Sequence, residues 1–505
     1  MNTAMHLPCI TNQPADRDGS LGSPLCPAVA PCQRRQPNAR GSTLYLRRAA
    51  WVPIALMLAV LGGCLEKHLV WSPDGRRAAV IAKDGLHFCD PDGNLTPLLL
   101  PDVDQVAWFG DSQRLAVARI RHVSDWASIP AILGRERAAA IAAEAEEIWR
   151  KAEAGGQLEV LMKPFGVKKA QTLLVCLKAQ HGDALRAKVS PKDLEFLDSS
   201  RVDVDELMIA RIDGDQVRPG LLLHSGLEKI EDIRLSPGDR AIAFTTDLTQ
   251  DNDDECRVLL TLVDSAGTTT VAEHTAAYPD WAPDARSLVY AQAAAGGPKE
   301  DLRLATLVRR EVFSDGGQIK LQEKPDELAG MVFSNLTRVR CLADGRIIFN
   351  AVEFSLPMAM KDSPKQETLF ALDPTRQATI VRVIPRGEEE NMPKNLAFFE
   401  LSPDEKQILV GGFDGEVSVL TLVTGDVGVW QKAGDYNLMA APVWRAPGEI
   451  TYARRNPMEN GKQPSRNAEI VLRRTVSGKN DDEKVLSKSW SAEMLTGVFS
   501  PSDKK

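Results

Sequence analysis

The chain has 505 residues, of which 26% are charged and 43% are hydrophobic, and its formal net charge at pH 7 is −8. This composition is typical of a soluble globular protein. The negative balance argues against a general nucleic-acid binder, which needs a basic face, so no nucleic-acid partner is expected. A chain of this length has room for two or three domains, unless internal repeats build a larger one.

Residues 1–46 show no hydrophobic periodicity and are rich in proline, glycine, arginine and asparagine. They include Cys9, Cys26 and Cys32. This composition predicts a disordered extension, or a mis-assigned start with initiation near Leu44 or Tyr45. The segment is therefore excluded from the fold prediction.

Residues 47–63 have the order of a secretory leader. Arg47 and Arg48 form a positive flank, and the uncharged run from Ala49 to Val60 follows. This run is shorter than the roughly 20 residues that a membrane-spanning helix needs. Leu61, Gly62 and Gly63 close the segment, and Cys64 follows.

This ending resembles the lipobox of bacterial lipoproteins, in which the cysteine is acylated and the leader is then removed. The resemblance implies a mature protein that starts at Cys64 and is anchored to a membrane by acyl chains. By similarity to lipoprotein sorting in enteric bacteria, Leu65 implies the periplasmic side of the outer membrane, if the organism is Gram-negative. The alternative is an uncleaved N-terminal anchor that ends in an incidental cysteine.

One corner motif recurs seven times in the rest of the chain. Its first copy reads Trp71-Ser-Pro-Asp-Gly-Arg, and an apolar run follows. Later copies begin at Trp108, Leu235, Trp281, Cys341, Leu401 and Trp444. The residues with a predicted structural role in the corners are Trp71, Pro73, Asp74, Gly75, Trp108, Asp111, Pro237, Trp281, Pro283, Asp284, Asp344, Gly345, Pro403, Asp404 and Trp444.

The chemistry of the motif is that of a turn between two strands. Proline fixes φ near about −65°, aspartate hydrogen-bonds the following backbone, and glycine accepts a positive φ. Two further strands fit between copies, as at Glu416 to Leu422 and Val427 to Trp430. Each copy therefore predicts a set of four antiparallel strands.

Four-stranded sets that repeat every 40 to 50 residues or so predict an all-β fold, namely a β-propeller over residues 64–505. The spacing of the corners favours seven blades. Six or eight stay open, because the second blade is interrupted and the fifth motif is weak. A two-sheet sandwich is the other architecture considered, but it would not need the same corner seven times.

The motif resembles the repeat of TolB-like, WD-like propellers, and the TolB type is periplasmic in Gram-negative bacteria. The resemblance implies that the strand before each corner is innermost. The segments expected to line a central channel are then His68 to Trp71, Val106 to Trp108, Tyr278 to Trp281 and Ala441 to Trp444. TolB carries an additional N-terminal α/β domain, for which the seven residues from Cys64 to Trp71 leave no room.

Residues 122–202 interrupt the second blade with a helical pattern. Helices are predicted at Pro130 to Ala154, at Val167 to Gln180, and from an N-cap at Ser190. An insertion between the second and third strands must emerge on the face opposite the corners. A partner-docking or lid role is favoured over a passive helical bundle.

No catalytic residue, cofactor or metal is predicted. The chain lacks Gly-x-Ser-x-Gly, Walker-type and Gly-x-Gly-x-x-Gly motifs, and its seven histidines are not at metal-ligand spacing. Asp251 to Glu255 is interpreted as a solvated loop, Asp90 to Asn94 as a tight turn, and Asp203 to Glu206 as a strand start with solvated carboxylates. The innermost strands show no convergent set of carboxylates.

Four cysteines remain after Cys64 in the propeller, and export would permit disulfides between them. Buried free thiols are favoured for Cys89, Cys176, Cys256 and Cys341. The apolar segment Met494 to Ser500 is a candidate for an added strand beside the first blade.

The sequence therefore predicts a lipid-anchored propeller of the cell envelope without enzymatic activity. It would bind a protein or peptide partner, for which residues 122–202 are a candidate surface. The alternative is an enzyme that processes a carbohydrate or small molecule at the channel mouth. That alternative requires convergent carboxylates or a metal on the axis.

Overall fold

The computed structural model describes residues 68–189, 194–247, 255–294, 303–315, 317–333, 337–352, 367–376, 379–384, 391–393, 396–412, 416–425, 427–431, 437–438, 441–455, 467–474 and 483–491. Outside these residues lie residues 1–46, the leader 47–63 with Leu61, Gly62 and Gly63, the candidate lipidation site Cys64, the predicted N-cap at Ser190, residues 251–254, and Met494 to Ser500.

The described chain is a β-propeller, as the sequence predicts. Each corner joins two neighbouring strands within a group of strands, and we number these groups along the chain. Group one contains β1 (Leu69–Trp71), β2 (Ala78–Ala82), β3 (Gly85–Cys89) and β4 (Leu100–Pro101). Group two contains β5 (Val103–Trp108), β6 (Arg114–Val123), β7 (Val202–Asp213) and β8 (Gln216–Gly226). Group three contains β9 (Ile230–Leu235), β10 (Ala241–Asp247), β11 (Cys256–Leu262) and β12 (Thr269–Thr275).

The later groups follow the same plan with more variation. Group four contains β13 (Ala277–Tyr278), β14 (Asp280–Trp281), β15 (Ser287–Ala293), β16 (Arg303–Asp315), β17 (Gln318–Leu321) and β18 (Asp326–Phe333). Group five contains β19 (Thr337–Cys341), β20 (Ile347–Val352), β21 (Glu367–Asp373) and β22 (Thr379–Arg382). Group six contains β23 (Leu396–Leu401), β24 (Gln407–Gly412), β25 (Val417–Thr421) and β26 (Val427–Gln431). Group seven contains β27 (Asn437–Leu438), β28 (Val443–Ala446), β29 (Glu449–Arg455), β30 (Asn467–Arg474) and β31 (Glu483–Ser491).

The groups contact one another in a closed order. The strands before the corners are β1, β5, β9, β14, β19, β23 and β28; each contacts the next, and β28 contacts β1. An apolar core lies between each pair of neighbouring groups, and the last one joins Leu69 and Val80 to Val443 and Trp490. The first and last groups therefore share an apolar core, as the other neighbouring pairs do.

Both faces of each sheet are buried against a neighbouring group. On β10, Ala241 and Ala243 pack toward group four, whereas Ile242 and Phe244 pack toward group two. Successive side chains of a strand point to opposite faces, so a strand buried on both faces needs an apolar residue at every position. This explains why the strands after the corners are continuous apolar runs.

Group four departs from the repeat. Its long strand β16 pairs with β15 on one side and with both β17 and β18 on the other. In addition, β12 of group three pairs with β15 at a single position. The short strand β13 pairs in parallel with β19 of group five. Groups three, four and five are thus linked by backbone hydrogen bonds as well as by side-chain packing.

The helical insertion lies between β6 and β7, in the second group. Its helices are α1 (Ile129–Leu133), α2 (Arg135–Glu153), α3 (Leu158–Met162), α4 (Val167–Arg186) and α5 (Leu194–Asp198), preceded by a single 3₁₀ turn at Trp126–Ser128. The helical stretch predicted from Pro130 to Ala154 is present, but it is divided into α1 and α2 because the backbone turns at Gly134, where φ is +87°. The second helix runs past the predicted Gln180 and contains a kink at Gly182.

The corners share one geometry. Asp74 accepts hydrogen bonds from the Ser72 hydroxyl and the Arg76 backbone N–H, at 2.6 and 3.1 Å. Asp111, Asp284, Asp344 and Asp404 each accept the backbone N–H two residues further on. The residue after this position has a positive φ in all seven corners: Gly75, Ser112, Asp239, Ala285, Gly345, Glu405 and Gly448. Four of these residues are not glycine, so the glycine of the motif is dispensable.

Three of the non-glycine residues connect neighbouring corners. The Ser112 hydroxyl accepts the N–H of Asp74 at 3.3 Å, and the other two are acidic residues. Asp239 accepts the N–H of Gly110, and Glu405 accepts the N–H of Ala343, both at 2.8 Å. Gly110 and Ala343 occupy the motif position where Pro73, Pro237, Pro283 and Pro403 have no N–H to donate. Where a corner lacks proline, an acidic side chain of the following corner thus accepts the hydrogen bond from the backbone N–H that a proline would not have.

Exchanging Ala285 for glycine is expected to stabilise the fold by about 0.5–1 kcal/mol. The left-handed conformation strains alanine but not glycine, and this relief exceeds the entropy that glycine adds to the unfolded chain. Asp239→Gly is the matched control and should give no gain, because it also removes the hydrogen bond to Gly110. Urea denaturation measures the free energy of unfolding of both variants, and an equal change in the two would contradict this prediction.

The four tryptophans of the corners pack between groups and form no ligand cage. Their side chains are buried, and three indole N–H groups donate to a first-strand carbonyl of the preceding group: Trp108 to Val70, Trp281 to Arg234, and Trp444 to Glu400, at 2.8–3.1 Å. Trp71 instead donates to the Thr451 hydroxyl at 3.1 Å. The tryptophans therefore join each group to its neighbour.

Candidate functional site

Polar side chains gather where the insertion meets the second group of strands. The acidic stretch Asp203 to Glu206 begins β7, and its side chains at Asp205 and Glu206 are only 2% exposed. The prediction that these carboxylates are solvated is wrong. The insertion and β6 cover these carboxylates: Lys168 of the insertion reaches Asp205, and Arg119 and Arg121 of β6 reach Glu206.

Glu206 is held by two arginines of the neighbouring strand. Arg119 lies directly opposite it in the sheet and donates from Nε and Nη2 to the same carboxylate oxygen, at 3.0 and 2.8 Å. Arg121 donates to the other oxygen at 3.3 Å. His122 and Asp203 form a second cross-strand pair at 2.7 Å. Cross-strand pairs of opposite charge stabilise an antiparallel sheet.

Asp205 connects the insertion to the propeller. Its carboxylate accepts a hydrogen bond from Lys168 of α4 at 2.8 Å and another from the backbone N–H of Ile230 at the start of β9. Burial raises the pKa of Asp205 to about 6, although the charge of Lys168 opposes the shift. One carboxylate thus joins α4, β7 and β9.

Further contacts fix the insertion in place. Val123, Ile129, Ala138, Val175 and Val202 share an apolar core, and Arg137 pairs with Glu228 beyond β8. His224 of β8 lies beside the ring of Phe244, and burial lowers its pKa to about 4. The insertion is therefore docked on the propeller through both apolar and charged contacts.

Lowering the pH from 7 to 5 is expected to act oppositely through Asp205 and His224. The pKa of Asp205, about 6, lies above the ordinary 3.8, so the folded state takes up this proton first and gains stability as the pH falls. The pKa of His224, about 4, lies below the ordinary 6.5, so the unfolded state is protonated first and the fold loses stability. Asp205→Asn should therefore steepen the loss of stability on acidification by roughly 1 kcal/mol, and His224→Gln should reduce it. Urea denaturation at both pH values measures this pH dependence. The same change in both variants would contradict the prediction.

The insertion carries a cleft of about 880 Å³ on its own surface. Leu158, Val160, Met162 and Leu174 contribute apolar walls, and Lys163, Lys188 and Glu159 are among its polar lining residues. The Val160 side chain is 59% exposed. The insertion has a separate core, in which Trp149 stacks on His181 with ring centroids 4.2 Å apart. A cleft on a helical unit with its own core can hold apolar side chains of a ligand.

A second polar cluster lies on the strands that precede the corners. We call it the axial cluster, and its residues are Asp232, Arg234, Asp280, Arg338, Arg340 and Glu400. These residues belong to groups three to six. Arg234 donates to Asp232 at 2.9 Å, and the charges of Asp280 and Glu400 also act on it. The sequence analysis named none of these carboxylates, although the charges of three of them act on Arg234.

The segments expected to line the channel have mainly another role. The side chains of Trp71, Trp108, Trp281 and Trp444 are buried between groups, and the buried His68 ring lies 2.9 Å from the Ile81 carbonyl of its own group. The charged residues of the axial cluster were not singled out from the sequence, because they follow no motif. Among the described residues, no His, Cys, Asp and Glu side chains are grouped so that they could hold a metal ion.

The other expectations concern cysteines and turns. Cys89, Cys176 and Cys256 are buried free thiols, and Cys341 is half-buried. Burial raises the pKa of Cys89 to about 12 and that of Cys176 to about 11, so both thiols are poor nucleophiles at neutral pH. Asp90 forms the expected turn by accepting the N–H groups of Asp92 and Asn94. In the part of the chain that is described, no helix is long and apolar enough to cross a membrane.

No known family profile matches this sequence. No curated protein matches it either. Solved propeller structures resemble the fold only distantly. A TolB candidate from Agrobacterium tumefaciens is 10% identical, with 55% of this chain and 87% of that chain covered and a TM-score of 0.33. An oligogalacturonate lyase in complex with manganese is 15% identical, with 70% and 75% covered and a TM-score of 0.37. The β-propeller domain of Cps50 (Swd1) from Myceliophteria thermophila is 7% identical, with 77% and 93% covered and a TM-score of 0.38.

Proposed function

We propose that this chain is a seven-bladed, lipid-anchored propeller of the bacterial cell envelope that binds a protein or peptide through its helical insertion. The observation that carries the proposal is the docking of the insertion by Lys168 and Asp205, which presents the cleft beside Val160 on a rigid base. A pre-organised surface loses less conformational entropy when a partner binds. The closed order of the seven strand groups supports the blade number.

Site-specific photo-crosslinking in intact cells tests the binding surface. A crosslinking residue in place of Val160 or Val167, which are 59% and 64% exposed, should yield one discrete adduct. The same residue in place of Val423, which is 84% exposed in the turn after β25, is the matched control and should yield none. A Val160→Glu change should abolish the adduct formed from position 167. Equal adducts from all three positions would contradict the proposal.

The anchor is tested separately. Cys64→Ser should release the protein from membranes into the soluble fraction, because acyl chains on this cysteine supply the proposed attachment. Fractionation followed by mass spectrometry of the N-terminus distinguishes the outcomes. A cleaved form that stays on the membrane without Cys64 would rule out acylation as the anchor.

An enzyme acting on a carbohydrate or small molecule at the channel mouth is the second candidate. One observation favours it, namely the convergence of Asp232, Asp280 and Glu400 around Arg234. Under this alternative, Asp232→Asn would abolish turnover of an oligosaccharide while leaving the insertion's crosslinking unchanged. Under the binding proposal, no turnover of such substrates by the unmodified protein is expected.

A further inference from the structure

The boundary between groups one and seven differs from every other boundary in the ring, and we call it the seam. At each of the other boundaries the chain runs from one group directly into the next. The shortest connectors are single residues, namely Asp102 between groups one and two and Ala276 between groups three and four. Groups one and seven are separated along the chain by the five other groups, so no connector crosses the seam.

Backbone pairing does not replace the missing connector. Groups three and four are joined by pairing of β12 with β15, and groups four and five by pairing of β13 with β19. Among the described strands, by contrast, none of group one pairs with a strand of group seven. Each of these two sheets consists only of its own consecutive strands, so neither covalent nor sheet continuity links them at the seam.

Side chains hold the seam closed. The Trp71 indole N–H donates to the Thr451 hydroxyl at 3.1 Å, and the Trp490 indole N–H donates to the Gly93 carbonyl at 3.3 Å. The guanidinium carbon of Arg445 lies 5.0 Å from the centroid of the Trp71 ring. Together with the apolar core, these contacts are short-range and are lost together when the two faces separate.

We propose that the propeller ring opens reversibly at the seam while its seven groups stay folded. Opening one boundary exposes two sheet faces, which is a small part of the apolar surface that global unfolding exposes. A connector of one residue limits how far neighbouring groups can separate, whereas the seam has no such restraint. An open seam creates an entrance into the ring from the side. This property belongs to the propeller and does not depend on the proposed function.

Two buried thiols of the chain report on this opening. Cys89 is 1% exposed and lies in the core of the seam, beside Val443 and Trp490 of group seven. Cys256 is 0% exposed and is the matched control. It lies two residues before Val258, which packs in the core that groups three and four share. Global unfolding exposes both thiols, whereas opening of the seam exposes Cys89 alone.

Timed alkylation of the purified full chain with iodoacetamide tests the proposal, and peptide mass spectrometry gives the rate at each cysteine. A thiol reacts only when it is exposed and ionised. In native buffer, Cys89 should therefore react about tenfold faster than Cys256, or more. Low concentrations of urea should accelerate Cys256 more steeply than Cys89, because global unfolding exposes more surface than opening of the seam.

A thiol on the other side of the seam distinguishes opening from local fraying of the turn that follows Cys89. Ala453 of group seven is 0% exposed and lies in the same core. If the two faces separate, the new thiol of Ala453→Cys should react at a rate within about threefold of that of Cys89. Fast reaction of Cys89 with slow reaction at position 453 would show fraying of the turn and would overturn the proposal.

Loosening the seam should accelerate its opening. Trp490→Phe removes the hydrogen bond to Gly93 and should speed the reaction of Cys89 about threefold or more. Trp281→Phe removes the corresponding hydrogen bond between groups three and four, and this control should leave Cys89 unchanged. Equal rates at Cys89 and Cys256 in the unmodified chain, with the same urea dependence, would also overturn the proposal. That comparison decides even if a variant does not fold.

Discussion

Replacing Lys168 by methionine is expected to destabilise the protein by about 3 kcal/mol at pH 7.5. The change leaves the Asp205 carboxylate, which is only 2% exposed, without its ion-pair partner, and removing one member of a buried pair costs about 3–5 kcal/mol. The lower end applies because the Lys168 side chain is itself 29% exposed. Urea denaturation measures the loss. Limited proteolysis should show cleavage within residues 122–202, since this contact docks the insertion.

The pH dependence of this effect is diagnostic. At pH 5 the carboxyl of Asp205, with its pKa of about 6, is mostly protonated, so Lys168 has no charge to pair with. Lys168→Met should therefore lower the stability much less at this pH. Lys151→Met is the matched control. Lys151 pairs with Glu147 one turn away on α2. Both side chains are more than half exposed, so the expected loss is small compared with that of Lys168→Met. Equal losses for both variants would refute a docking role for Lys168.

Trp444→Ala is expected to cost about 3–5 kcal/mol. Trp444 is 6% exposed and fills the core between groups six and seven, and a truncation there leaves a cavity that a rigid interface cannot close. Trp444→Phe should cost about 1–2 kcal/mol, because it also leaves the Glu400 carbonyl without its indole donor. Chemical denaturation of both variants separates the stability lost with the buried apolar surface from the stability lost with the hydrogen bond.

The four corner tryptophans offer an internal comparison for this prediction. Trp281→Phe should match Trp444→Phe, because each indole donates to a first-strand carbonyl at 3.1 Å. Trp71→Phe should cost less, since its acceptor is the Thr451 hydroxyl, which can rotate to another partner. If the phenylalanine variants at positions 281 and 444 were as stable as the unmodified chain, the indole hydrogen bonds would contribute nothing to closure.

One charged feature could have been recognised from the sequence. Arg119, Arg121 and His122 end the strand before the insertion, and Asp203 to Glu206 begin the strand after it. If the two strands are aligned as antiparallel neighbours, basic and acidic side chains face each other, as Arg119 and Glu206 do. The signal is complementary charge on the two sides of an insertion, and it indicates burial instead of solvation.

The sequence by itself determined the corners, the strand order and the propeller fold. The reason is local: proline, aspartate and a residue with positive φ fix the turn within six positions, and the apolar runs around it define strands that must be buried on both faces. Tertiary structure alone decided which charges meet. Lys168 and Asp205 are joined by docking of the insertion. Arg234 and Arg340 are brought together because the strands before the corners contact one another in sequence around the propeller. Such contacts depend on the angle at which each group packs on the next, and no short stretch of residues encodes that angle.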